Sequence, residues 1–141
     1  MSSATPRSRT ADAGTALHAA EEALRRARRT YARRLLGLVA DALAERHPEA
    51  VRLDVRTVVD GREHVADALR DARGEYVWGD PGRVVVVRET ADDALGGPVT
   101  VAVHDARDLV LRALEVHDGP LEELLRHDPA DGTHWMPLRR G

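Results

Sequence analysis

The sequence predicts an α+β domain in which a long N-terminal amphipathic helix packs on a small, mainly antiparallel sheet, with one or two C-terminal helices. Three observations lead there. Residues 11–46 are rich in Ala and Leu and contain no proline. Residues 50–103 show alternating or β-branched apolar runs between turn signals, and residues 105–126 return to helical spacing.

The first element begins near Ala11, after a Ser-, Thr-, Pro- and Arg-rich stretch, residues 1–10, that has almost nothing to bury and reads as a flexible tail. Pro48 stops the helix after Arg46. About thirty-five residues make a rod of about 50 Å. A globule of this chain length has a radius of gyration of about 14 to 15 Å, so part of the rod is expected to protrude. In its first half Leu17, Ala20, Leu24, Ala27, Tyr31 and Leu38 form a narrow seam, with a seven-residue recurrence at 17, 24, 31 and 38. In its second half Leu35, Leu36, Val39, Ala42 and Leu43 join Leu38 in a stripe wide enough to dock on a core. The C-terminal half is therefore expected on the domain, and the N-terminal half is expected to be offered for association.

The strands follow. Val51, Leu53 and Val55 alternate with Arg52, Asp54 and Arg56, and Asp60-Gly61 reads as a turn. Residues 63–73 fit a helix with Val65, Ala68, Leu69 and Ala72 on one face. They fit better a strand whose Asp71-Ala72-Arg73-Gly74 turn leads into Tyr76-Val77-Trp78. Asp80-Pro81-Gly82 is a turn before Val84-Val85-Val86-Val87, which reads as a buried strand. Residues 90–98 read as a connection with room for a short helical turn, and Val99 to Val103 as another strand.

Asp105 is placed to cap a helix that buries Ala106, Leu109, Val110, Ala113 and Leu114, and Pro120 starts a shorter helix to Arg126. From His127 onward the chain is expected to lie along the surface. Everything from residue 11 to 141 belongs to one domain, since 141 residues with 43% hydrophobic and 32% charged content fill one core.

Composition excludes several chemistries. The chain has no Cys, hence no disulfide, thiolate metal site or cysteine nucleophile. Its serines, Ser2, Ser3 and Ser8, lie in the tail, and no Thr sits in a nucleophile elbow. Gly79-Asp80-Pro81-Gly82-Arg83 lacks phosphate-loop spacing. No apolar leader or membrane span is evident, so a cytoplasmic location without membrane contact is expected. Lys, Asn, Ile, Phe and Gln are also missing, which marks a GC-rich, high-GC-bacterial genome and makes all 21 basic residues Arg.

That codon habit tempers the basic cluster on the first helix. Arg25, Arg29 and Arg33 share a face away from the seam and could meet a partner's acidic groups or a phosphate backbone. With a formal net charge of -3 and with Glu21 and Glu22 nearby, nucleic acid is not the expected partner. His117, His127 and His134 are the trio best spaced to converge on a metal, although neither His-Glu-x-x-His nor any other ligand motif supports them. Trp78 is expected in the core, and Trp135 fits core or interface equally.

No catalytic constellation stands out. The expected function is a non-enzymatic protein-interaction module, an adaptor, regulator or immunity-type binder that needs no cofactor. It would join a second copy or another protein through Leu17, Leu24 and Tyr31, with Arg25, Arg29 and Arg33 as flanking contacts. The alternatives are a small metal-binding protein or enzyme using the histidines, and a nucleic-acid binder along the Arg face.

Overall fold

The computed structural model describes residues 9–58 and 63–138. Helix α1 runs Arg9–Arg46, 38 residues or about 57 Å. It begins two residues before Ala11, so Arg9 and Thr10 are helical rather than tail. The His47 amide still donates to Leu43 O at 2.8 Å, and Pro48 then ends the pattern because it has no amide to donate.

All buried residues of α1, namely Ala32, Leu35, Leu36, Val39 and Leu43, belong to its C-terminal half. They pack against helix α2, Ala106–Val116, and one face of the sheet. Asp105 caps α2 by accepting from the Asp108 amide at 2.9 Å, and the five α2 residues expected to face inward are its buried set. Leu38 departs from expectation and is 47% exposed. At 3.6 residues per turn it lies on the Tyr31 line, roughly 100° from the stripe centred on Val39.

The main sheet is antiparallel in all its pairings, with strand order β3-β2-β1-β7-β6. Its strands are β1 Arg52–Val58, β2 Glu63–Arg70, β3 Tyr76–Val77, β6 Arg126–His127 and β7 His134–Pro137. The Asp60-Gly61 turn lies outside the described residues. The 63–73 segment is the strand and turn expected. Gly74 takes the left-handed conformation at φ 81°, and Asp71 Oδ1 accepts from the amides of Arg73 and Glu75.

The helix-like spacing in β2 has a physical origin. The register passes from Asp54↔Ala68 to Val55↔Ala66, leaving Asp67 as an extra residue. That bulge lets Ala66 and Leu69, three apart, both point into the core.

Four expectations fail here. The C-terminal tail does not lie along the surface: β7 pairs with β1 from Arg52↔Pro137 to Val55↔His134, and Met136 and Leu138 are buried. The valine run is a strand but not part of this sheet. Among the described residues β4, Val85–Asp92, and β5, Pro98–Asp105, pair only with each other. Val84 is buried, but Val86 and Val87 are only half-buried and Val85 is exposed. Residues 90–92 and 98 continue these strands, and the connection is a turn at Asp93–Gly97 with no helix. Between α2 and β6 the chain makes a 3-10 turn, Leu121–Glu123, in place of the longer helix expected after Pro120.

Candidate interaction surface

The N-terminal half of α1 is built by strong helix formers, Ala, Leu, Glu and Arg, and not by packing. Among the described residues, none before Ala32 in α1 is buried. Its apolar side chains keep their expected recurrence and are open to solvent: Leu17 is 61% exposed, Leu24 51%, Tyr31 44% and Leu38 47%. Ala20, Ala27 and Arg34, between them on the same face, are exposed as well. The seam therefore stays uncovered from Leu17 to Leu38.

The arginines divide. Arg25 pairs with Glu22 at 3.1 Å on the surface. Arg29 reaches Glu123 at 2.9 Å, and Arg33 donates to the Glu123 carbonyl at 3.3 Å. Arg29 and Arg33 thus fasten the middle of α1 to the 3-10 turn, so they do not form a free basic face with Arg25. Glu123 carries that contact, and nothing in its local sequence singles it out.

The histidine trio is also divided. The His127 and His134 rings lie against each other with centroids 5.0 Å apart and planes tilted by 50°, and His134 Nε2 lies 3.5 Å from Glu122. His117 is buried, its Nε2 3.1 Å from Pro120 O and 3.3 Å from Glu123. Among the described residues no group of three His, Asp or Glu side chains is arranged to hold a metal. Glu122 is held below the ordinary carboxylate range by a hydrogen bond from its own amide and by His134. Asp131 is lowered by the hydroxyl and amide of Thr133.

On the solvent side of the main sheet, Asp54 is buried beneath two guanidinium groups, Arg52 at 2.6 Å and Arg70 at 2.5 Å. The hydrogen bond to Asp54 raises the Arg70 pKa. Arg52 and Arg126 lie over the Trp135 ring, and Arg70 lies over Tyr76. These contacts satisfy one another and cover the sheet.

Trp78 is not a core residue: it is 99% exposed. Alternation along the short edge strand turns Val77 toward the core and sends its neighbours outward. Further exposed apolar residues, Leu95, Val99, Val101 and Val103, belong to the β4–β5 ribbon. Irregularities of register at Val85/Val87 and Glu89/Thr90 disturb the regular hydrogen-bonding edge of that ribbon. A shallow groove of about 1120 Å³ runs between α1 and the C-terminal segment, lined by Gly37, Ala40, Ala44, Leu124 and Leu138 among others. Small and apolar side chains make up most of its lining, together with Arg33, Asp41 and Arg126.

Among the described residues, no helix is long and apolar enough to cross a membrane. No known family model, no curated protein and no solved structure matches the chain. The functional reading therefore rests on side-chain geometry.

Proposed function

We propose that the protein is a non-enzymatic, cytoplasmic interaction module that associates with a second protein chain through the N-terminal half of α1. One observation carries the reading: an apolar seam with a seven-residue recurrence stays exposed from Leu17 to Leu38, on a helix whose buried stripe faces elsewhere. A helix half that buries nothing has only its propensity to hold it, whereas covering its seam adds about 25 cal/mol for each Å² of apolar surface removed from water. The histidines and arginines favour no rival, because Arg29, Arg33 and His117 are engaged with Glu123.

The test is the solution mass of the intact chain beside a Leu17→Asp, Leu24→Asp, Tyr31→Asp variant. The intact chain should exceed its 15.5 kDa monomer mass, and the variant should fall to a folded monomer. If the two chains have the same mass, the reading is overturned.

A further inference from the structure

Resting on that reading, we infer that the occupant of the seam is a second copy of this chain, its helix running antiparallel with the two-fold axis between Arg25 and Arg26. Charge points to the direction. Residues 9–24 hold three acids, Asp12, Glu21 and Glu22, against one arginine, whereas residues 25–34 hold six arginines and no acid. A parallel pair would set the six arginines beside their own copies, which is repulsive. An antiparallel pair sets the basic stretch beside the acidic one, and the helix dipoles then oppose as well.

Side-chain size points to the register. With the axis between Arg25 and Arg26, each seam position faces the residue whose number brings the pair's total to 51. Leu24 then meets Ala27 of the second copy, Tyr31 meets Ala20, and Leu38 meets Ala13. Leu17 lies along the aliphatic stem of Arg34. Three of the four large seam side chains thus have an alanine opposite, and the fourth lies on a flexible stem, so the helices can approach closely without voids. A parallel alignment would instead stack Leu on Leu and Ala on Ala in alternate layers and place Arg34 against Arg34.

The charges that flank the seam complete the match. Glu21 and Arg28 lie on the same side of it, and both are exposed. Among the described residues neither has an ion-pair partner in its own chain, although Glu22, Arg25 and Arg29 do. In this register Glu21 faces Arg28 of the second copy, and the symmetry makes the contact twice. An isologous interface requires such a self-complementary patch.

The experiment reads dimer dissociation by sedimentation equilibrium for the intact chain, Glu21→Arg, Arg28→Glu and the double swap. Each single swap replaces two attractions with two repulsions and should weaken the dimer about ten- to thirtyfold, and the double swap should restore it. Cysteine cross-linking gives a second measure, since the chain has no native Cys. Leu17→Cys with Arg34→Cys should oxidise to a covalent dimer, and either alone should not. Within one helix those positions stand about 25 Å apart, so they cannot join internally.

Single swaps as dimeric as the intact chain, self-linking of Leu17→Cys alone, or a monomeric intact chain would each overturn the inference. An oligomer lost in the triple aspartate variant yet indifferent to the swaps would remove the antiparallel register while the role of the seam stands. An oligomer indifferent to the triple variant would remove both.

Discussion

The two halves of α1 share one continuous helical backbone, yet from Ala32 onward the helix contributes five residues to the core and before Ala32 it contributes none. The difference lies in how wide the apolar stripe is. Between residues 35 and 43 Leu35, Leu36, Val39 and Leu43 crowd into one sector, which suits the broad surface made by α2 and the sheet. Between 17 and 31 one large apolar residue appears per seven, flanked by alanines, which suits a single rod of similar width. Amphipathicity alone thus does not identify what a helix face meets.

The contrast breaks most visibly by truncating one leucine in each half. Leu43 is fully buried, and Leu43→Ala should cost about 2–5 kcal/mol through lost burial and the cavity left behind. Leu24→Ala should move monomer stability by no more than about 0.5 kcal/mol, because water already surrounds much of that side chain. Chemical denaturation at a concentration that keeps the chain monomeric separates the two. Equal losses would show that the N-terminal half is packed in the monomer after all.

Glycines sharpen the same comparison. Gly14 and Gly37 are both interior to the helix, and a Cβ at either would meet nothing within 4 Å. Alanine at each should favour the helix by about 0.5–1 kcal/mol. For Gly37→Ala that gain should appear in global unfolding, since its segment melts with the core. For Gly14→Ala it should appear in amide exchange of the first turns and leave the global transition in place, because an unsupported helix end opens by itself. A global gain from Gly14→Ala would mean that the two halves unfold as one unit.

A smaller effect marks the boundary between the halves. Arg29 joins Glu123 but its side chain remains 40% exposed, so solvent screens the pair and Arg29→Ala should cost only about 0.5 kcal/mol. Arg25→Ala, which loses the surface contact with Glu22, should cost less still. The Arg29 variant should also speed amide exchange at residues 25–31, whereas the Arg25 variant should not extend opening into the docked half. Identical exchange in the two would deny Arg29 its fastening role.

The local elements were legible because their signals are local. The Pro48 stop and the Asp105 cap mark helix ends within one turn of chain, and the five inward residues of α2 follow from spacing alone. The unread parts depend on distant residues. Nothing near Trp135-Met136 announces that Met136 will face Leu53 across the β1–β7 pairing. Val84–Val87 has the composition of a buried strand, but its place in a separate two-stranded ribbon depends on how the rest of the chain pairs. At the candidate surface, the seam was readable as periodicity. The division of its arginines was not, since Arg33 and Glu123 are separated by 90 residues in sequence.

The finest distinction lies within the 3-10 turn, where Glu123 holds α1 and Glu122 faces His134 on β7. The carboxyl of Glu122 is lowered first by its own amide and then by His134. Because the folded value lies below the unfolded one, the associated stability is present above the ordinary carboxylate range. It is lost as pH falls through the lowered value. In a carboxyl-detected NMR titration, Glu122 should therefore titrate below the ordinary glutamate range. His134→Ala should move it only part of the way back, since the amide remains, and should leave the lowered Asp131 in place, because Thr133 governs that group. A Glu122 midpoint unmoved by His134→Ala would assign the whole shift to the backbone. The contact between the 3-10 turn and β7 would then be passive, and Glu123, through α1, would be the only glutamate fastening this turn to the rest of the fold by charge.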